Sequence, residues 1–113
     1  MEIKSALEAF DALSQETRLA VVRLLVTAGP EGMSAGRVAE TLDCRQNTMS
    51  SHLKVLATAG LINSRRSGRS IVYSANFGTI RDLVVFLMED CCKGNYVCGA
   101  VAKTINANQR IEP

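Results

Sequence analysis

The chain has 113 residues, 47% of them apolar and only 4% aromatic with no Trp, and its net charge is +2. A chain of this length buries about two-thirds of its surface in a single core, which leaves room for one domain, folding alone or as a small dimer, with an aliphatic interior. No apolar run approaches the ~20 residues of a membrane span, and the start MEIKSALEAF lacks the apolar stretch of a signal peptide, so a cytoplasmic protein is expected.

The charge is distributed unevenly. Between Cys44 and Arg81 there is no Asp or Glu, while Arg45, Lys54, Arg65, Arg66, Arg69 and Arg81 supply six positive charges; the remaining residues carry seven Lys/Arg against eleven Asp/Glu. One basic segment against an acidic remainder suits a module with a single phosphate-facing surface.

In chain order, Ile3, Ala6, Leu7 and Phe10 recur at helical spacing and predict a first helix over residues 3 to 13 that packs on a partner element. Ser14 is the expected N-cap of a second helix from Gln15 to Ala28. Its Leu19, Val22, Leu25 and Val26 should face inward, and Gly29-Pro30 should end it. Ser34 then caps a short third helix reaching about Leu42, with Met33 and Val38 at the two positions of a hydrophobic staple. After a break at Asp43-Cys44 comes RQNTMSSHLKVLATAGLINSRRSGRSIVYS, the stretch from Arg45 to Ser74. Met49, Leu53 and Leu56 at i, i+4 and i+7 give its helix an apolar face. The opposite face holds Asn47, Ser51, Lys54 and Thr58, with Gln46, Thr48 and Ser50 near the N-terminal end. A merely solvated helix usually carries Glu/Lys pairs, whereas amides and hydroxyls with almost no charge suit base edges in a major groove. Short helix, tight turn and polar-faced helix together make a helix-turn-helix.

Leu61–Arg66 and Arg69–Ser74 flank Ser67-Gly68, which predicts a hairpin with Arg65, Arg66 and Arg69 around its tip. Three arginines with no acid nearby favour phosphate or minor-groove contact over a solvated turn. Thr79 is the expected N-cap of a fifth helix from Ile80 to about Cys92, stopped by Lys93-Gly94. Ile80, Leu83, Val84, Leu87 and Cys91 form one stripe, Val85, Met88 and Cys92 a second, and Phe86 adds to them. A helix apolar on both sides must be covered on both sides, and in so small a domain the second cover is another copy of the chain. The fold class is therefore mainly α with a small β-hairpin: a winged helix-turn-helix of five helices plus a wing, forming a homodimer. Residues 1–98 are assigned to this domain, and the polar tail 99–113 receives no function.

The order of helices, the segment QNTMSSHLKVLATAGLI and the wing SRRSGRSIVYS resemble the ArsR/SmtB family of winged-helix metal-sensing repressors, over roughly Leu7 to Cys92. The resemblance implies a homodimer bound to double-stranded operator DNA until an inducer releases it, and no enzymatic activity. The family's recognition-helix contacts fall on Gln46, Asn47, Ser50 and Ser51, followed by His52. Arg45 stands where the family often has a small capping residue and adds a phosphate contact. Family members similar to the founding arsenic sensor carry a Cys-x-Cys-x-x-Cys set on the third helix, but the corresponding positions here are Ser34, Gly36 and Ala39. Zinc sensors use Asp and His on the last helix, whereas the single histidine here is His52. What remains is Cys91, Cys92 and Cys98, similar to the C-terminal trio of a subgroup of arsenite-responsive repressors.

Three soft thiolates suit trivalent arsenic, or antimony, which forms three bonds and keeps a lone pair, while structural zinc wants four ligands. Neighbours on a helix point about 100° apart, so Cys91 and Cys92 converge on one atom only if the helix end distorts. As(III) is thus the expected inducer, remodelling the end of the dimer helix. The same thiols could instead form a redox or persulfide switch in a repressor of the same fold, and a DNA-binding protein without an inducer is a third reading. A thiol-dependent reductase fits poorly, because the negative end of a helix disfavours a thiolate. Cys44 reads as a small core residue, Glu89-Asp90 as a solvated pair, and His52 equally as a packed, hydrogen-bonded residue or a DNA contact.

Overall fold

A computed structural model of the chain describes residues 1–89. The cysteine trio, the Cys92 helix end with its Lys93-Gly94 stop, and the domain boundary at residue 98 lie outside the described residues. Five helices and a small sheet follow in the order α1 (Ile3–Leu13), α2 (Glu16–Ala28), β1 (Met33–Ser34), α3 (Ala35–Thr41), α4 (Gln46–Thr58), β2 (Ile62–Ser67), β3 (Ser70–Ala75) and α5 (Phe77–Met88). This is a winged helix-turn-helix. None of the described helices is long and apolar enough to cross a membrane.

The core is aliphatic. Val21, Val22 and Leu25 of α2, Val38 of α3, Met49, Leu53 and Leu56 of α4, and Leu61, Ile62 and Leu83 are buried together. On α1 the inner face is Ala6, Ala9 and Ala12, with Phe10 and Leu13 half-covered, so Ile3 and Leu7 stay 67% and 61% exposed. The expected inward face of α1 is therefore rotated, because alanines let the helix approach its neighbours closely and the larger side chains are left outside. The stripe on α2 is rotated in the same way: Val21 takes an inner position, whereas Leu19 and Val26 are exposed.

Two expected caps are displaced. Ser14 closes α1, its hydroxyl donating to the Asp11 carbonyl at 2.6 Å, and the N-cap of α2 is Gln15, whose Oε1 accepts from the Arg18 N–H at 2.8 Å. Likewise α5 begins at Phe77 rather than Ile80, because Asn76 Oδ1 accepts from the Thr79 N–H and takes the capping role expected of Thr79. The Ser34 cap holds, with Oγ accepting from the Arg37 N–H at 3.3 Å, and Met33 and Val38 of the staple both pack into the core.

The turn between α3 and α4 is a Schellman motif. Asp43 adopts the left-handed region at φ 50, its N–H bonds the Glu40 carbonyl, and the Cys44 N–H bonds the Ala39 carbonyl. The same motif closes α4: Gly60 stands at φ 81, with Gly60 N–H on Ala57 and Leu61 N–H on Leu56. Leu56 and Leu61 are both buried, as the motif's accompanying apolar contact requires.

The wing pairs β2 with β3 antiparallel, in a register that sets Ile62 opposite Ala75 and Ser67 opposite Ser70. The connection is thus Gly68-Arg69, one residue later than Ser67-Gly68. Positive φ (61) is found at Gly68, the first central position, and that is where a type II′ turn places its glycine. A short strand not anticipated from the sequence, β1, adds Met33 opposite Tyr73 and Ser34 opposite Val72, giving the order β1-β3-β2. The chain reaches β1 through Gly32 at φ 73, where a Cβ would collide with the Tyr73 carbonyl.

Candidate nucleic-acid interface

The sequence of α4 determines what it shows to solvent. Burial of Met49, Leu53 and Leu56 turns Gln46, Asn47, Thr48, Ser50 and Ser51 outward, and all five are exposed. These side chains are partly organised already. Ser50 Oγ donates to the Gln46 carbonyl at 2.8 Å and Ser51 Oγ to the Asn47 carbonyl at 3.4 Å. Asn47 Oδ1 accepts from the Thr48 N–H at 2.9 Å, which leaves the Asn47 amide N–H₂ as an outward donor. Each serine oxygen keeps acceptor capacity toward solvent. Gln46 Nε2 lies beside the turn, 3.4 Å from where a Cβ on Gly36 of α3 would stand, an ordinary van der Waals distance.

The wing adds charge. Arg65, Arg66 and Arg69 are exposed, and Arg45 is exposed at the start of α4, where its backbone is extended and its side chain makes no cap. The one ion pair among the described residues joins Arg81 to Asp82, so none of these four arginines is neutralised by a described carboxylate within 4 Å. The pleat sends Arg65 and Arg66 to opposite faces of the ribbon, and Arg65 Nη2 donates to the Glu31 carbonyl at 3.1 Å. That anchor was not evident in the sequence, because it joins positions 34 apart through a backbone atom.

Lys54 is exposed on the same side of α4, three residues after Ser51 and four after Ser50. It lines a shallow groove between α4 and α1 with Glu8, Asp11, Val55 and Thr58, so its surroundings include two carboxylates. Cys44 is half-buried against the core beside the turn, its thiol 3.6 Å from the Arg45 carbonyl oxygen. His52 is also half-buried, with Nδ1 3.5 Å from Arg18 Nη1, which is the packed, hydrogen-bonded alternative for this residue. Among the described residues no group of three or more His, Cys, Asp or Glu could hold a metal ion. Cys91, Cys92 and Cys98 lie outside the described residues.

A neutral hydrogen-bonding helix face and a basic hairpin with no carboxylate partner among the described residues fit a duplex: amides and hydroxyls at base edges, guanidinium groups at phosphates. Comparison with known proteins agrees with this architecture. A helix-turn-helix domain family matches residues 13–65. The chain is 36% identical over 80 residues to the uncharacterized HTH-type transcriptional regulator YceK of Bacillus subtilis, spanning 71% of this chain and 79% of that protein. It is 31% identical over 86 residues to the transcriptional repressor SdpR of the same organism, spanning 76% and 92%. Among solved structures, an ArsR-like transcriptional regulator from Rhodococcus sp. RHA1 superposes with a TM-score of 0.69 at 26% identity, covering 89% of this chain and 92% of that one. The chain belongs to the ArsR-type helix-turn-helix transcriptional regulators. Another structure of this kind, described as a possible transcriptional regulator for arsenical resistance, matches with a TM-score of 0.64 at 26% identity over 73% of this chain and 82% of that one. As an ArsR-type regulator the protein is not an enzyme, and α3 and α4 form its helix-turn-helix.

Proposed function

We propose that the protein is an arsenite-responsive transcriptional repressor whose metal-free homodimer holds operator DNA and lets go when As(III) binds Cys91, Cys92 and Cys98. The observation that carries the DNA half is the exposed row Gln46, Asn47, Thr48, Ser50 and Ser51, flanked by Arg45, Arg65, Arg66 and Arg69 without acidic partners among the described residues. Lys54 is a peripheral contact on this reading. Ile3 and Leu7 on α1 and Val84, Val85 and Leu87 on α5, all exposed, support a homodimer. Two α4 helices about 34 Å apart then enter successive major grooves. Repression is the direction named for SdpR.

The arsenic half rests on chemistry and kinship. Three thiolates match a pyramidal, three-bonded As(III) or Sb(III) centre, and the similar protein described for arsenical resistance supports the assignment. The described part of α5 with its cap ends at Glu89, two residues before Cys91, so the proposed ligands follow directly on a helix assigned to the dimer interface.

The test is a titration of reduced protein, bound to a fluorescent fragment of its own promoter, with arsenite. Release in the wild type and retention in Cys91→Ser, Cys92→Ser and Cys98→Ser is the expected result. DNA binding untouched by arsenite would overturn the inducer, and release by oxidant or persulfide under those conditions would establish the thiol-redox repressor in its place.

A further inference from the structure

Arg18 stands in the first turn of α2 and reaches two other helices. Its Nε donates to the Ala12 carbonyl at 2.6 Å, one of the last carbonyls of α1, and its Nη1 lies 3.5 Å from His52 Nδ1 in the middle of α4. Its backbone N–H is held by Gln15 Oε1, so the residue is fixed at the backbone and at the guanidinium. Ala12 is buried, and Arg18 and His52 are both half-buried. The contact joins the scaffold to the reading helix one residue after Ser51.

We propose that Arg18 is a positioning residue for operator recognition, setting the rotation of α4 through His52, whose Nδ1 accepts from the guanidinium. The proton assignment follows from the donor inventory. A guanidinium group has five N–H donors and no acceptor, so the ring nitrogen facing it must be the acceptor. Nδ1 is then unprotonated and the ring hydrogen sits on Nε2. The contact matters because side-chain tips ride at the edge of the helix cylinder. A 20° rotation of α4 would carry the tips of Asn47 and Ser51 sideways by roughly 2 Å, enough to break a paired contact with a base edge.

The role in recognition rests on the operator reading above, and the test separates the two. His52 is the single histidine of the chain, so a long-range ¹⁵N–¹H spectrum of uniformly labelled protein without DNA reports its tautomer without assignment. The expected pattern has Nδ1 unprotonated and Nε2 protonated, and Arg18→Gln should convert it to a mixture. In operator binding, Arg18→Gln and His52→Gln should each weaken affinity by about three- to tenfold, with the double variant no worse than either. His52→Asn, which keeps an acceptor where Nδ1 stood, should stay within about twofold of wild type. Circular dichroism melts of the half-exposed His52 variants check that they fold.

A protonated Nδ1, fully additive losses, or retention by His52→Gln with loss in His52→Asn would overturn the proposal, the last by making Nε2 a direct DNA contact. Wild-type protein that bound no fragment of its promoter would overturn the operator reading and the positioning role with it. The spectrum alone would then decide the Arg18–His52 contact.

Discussion

Among the described residues, the polar side of α4 with the wing and the apolar sides of α1 and α5 are both exposed, and for opposite reasons. Along the outer side of α4 and the wing, the exposed groups are amides, hydroxyls and guanidinium groups, which water satisfies well and which gain from a polyanion only by exchanging that water and the counterions of the DNA. On α1 and α5 the exposed groups are Ile3, Leu7, Val84, Val85 and Leu87, which water satisfies badly. The first surface is stable while waiting for its partner. The second loses free energy at about 25 cal/mol for every Å² of apolar area it leaves wet. A regulator built this way should dimerise first and meet DNA as a preformed pair, with the apolar surface setting the spacing and the polar one reading the sequence.

The sharpest way to break that division is to spoil the apolar surface alone. Val84→Asp combined with Leu87→Asp changes two side chains that are 41% and 63% exposed in the single chain, so the fold should survive. Sedimentation should show a monomer, and operator affinity should fall by about 100-fold or more, because the second half-site is no longer tethered to the first. Full affinity in a monomeric variant would mean that one helix-turn-helix suffices.

The polar surface is probed by Asn47→Ala. Its amide donors face outward, and loss of a paired base contact should cost about 1–3 kcal/mol of discrimination against altered operators. Competition against single-base variants should show the loss concentrated at one position in each half-site. The salt dependence should not move, since Asn47 carries no charge, and the melting temperature should change little, because the exposed bond from the Thr48 N–H that is lost is offset by the higher helix propensity of Ala.

How much of this could be read from the sequence depended on the kind of interaction. The buried stripe Met49, Leu53, Leu56 and the outward row beside it are dictated by helical periodicity within a single element, and the structure places them as the spacing predicted. On α1 and α2 the same periodicity placed the elements but misplaced their faces. Apolar residues exceed what one core can take, and small alanines at Ala6, Ala9 and Ala12 won the inner positions over Ile3 and Leu7. Caps failed where competing donors and acceptors sat within three residues, as with Ser14 against Gln15 and Thr79 against Asn76. The strand β1 and the Arg65 and Arg18 contacts depend on tertiary neighbours and leave no local pattern.

The smallest effect separates two arginines that the sequence makes look alike. Arg65 and Arg66 are consecutive and both exposed, yet Arg65 is tied to the Glu31 carbonyl while Arg66 lies on the other face of the hairpin. If Arg66 serves a phosphate, Arg66→Ala should weaken binding to all sequences alike. The slope of log affinity against log salt should shrink by roughly 0.9 per contact, about two for a dimer. Arg65→Ala should leave most of that slope in place. It should instead loosen the hairpin against the segment before β1, seen as faster amide exchange in β2 and β3 and a stability loss of about 1 kcal/mol or less for one exposed hydrogen bond. An equal loss of slope in both variants would mean that Arg65 leaves Glu31 on binding. The wing would then be a three-arginine clamp, and the distinction between a positioned and a contacting arginine would disappear.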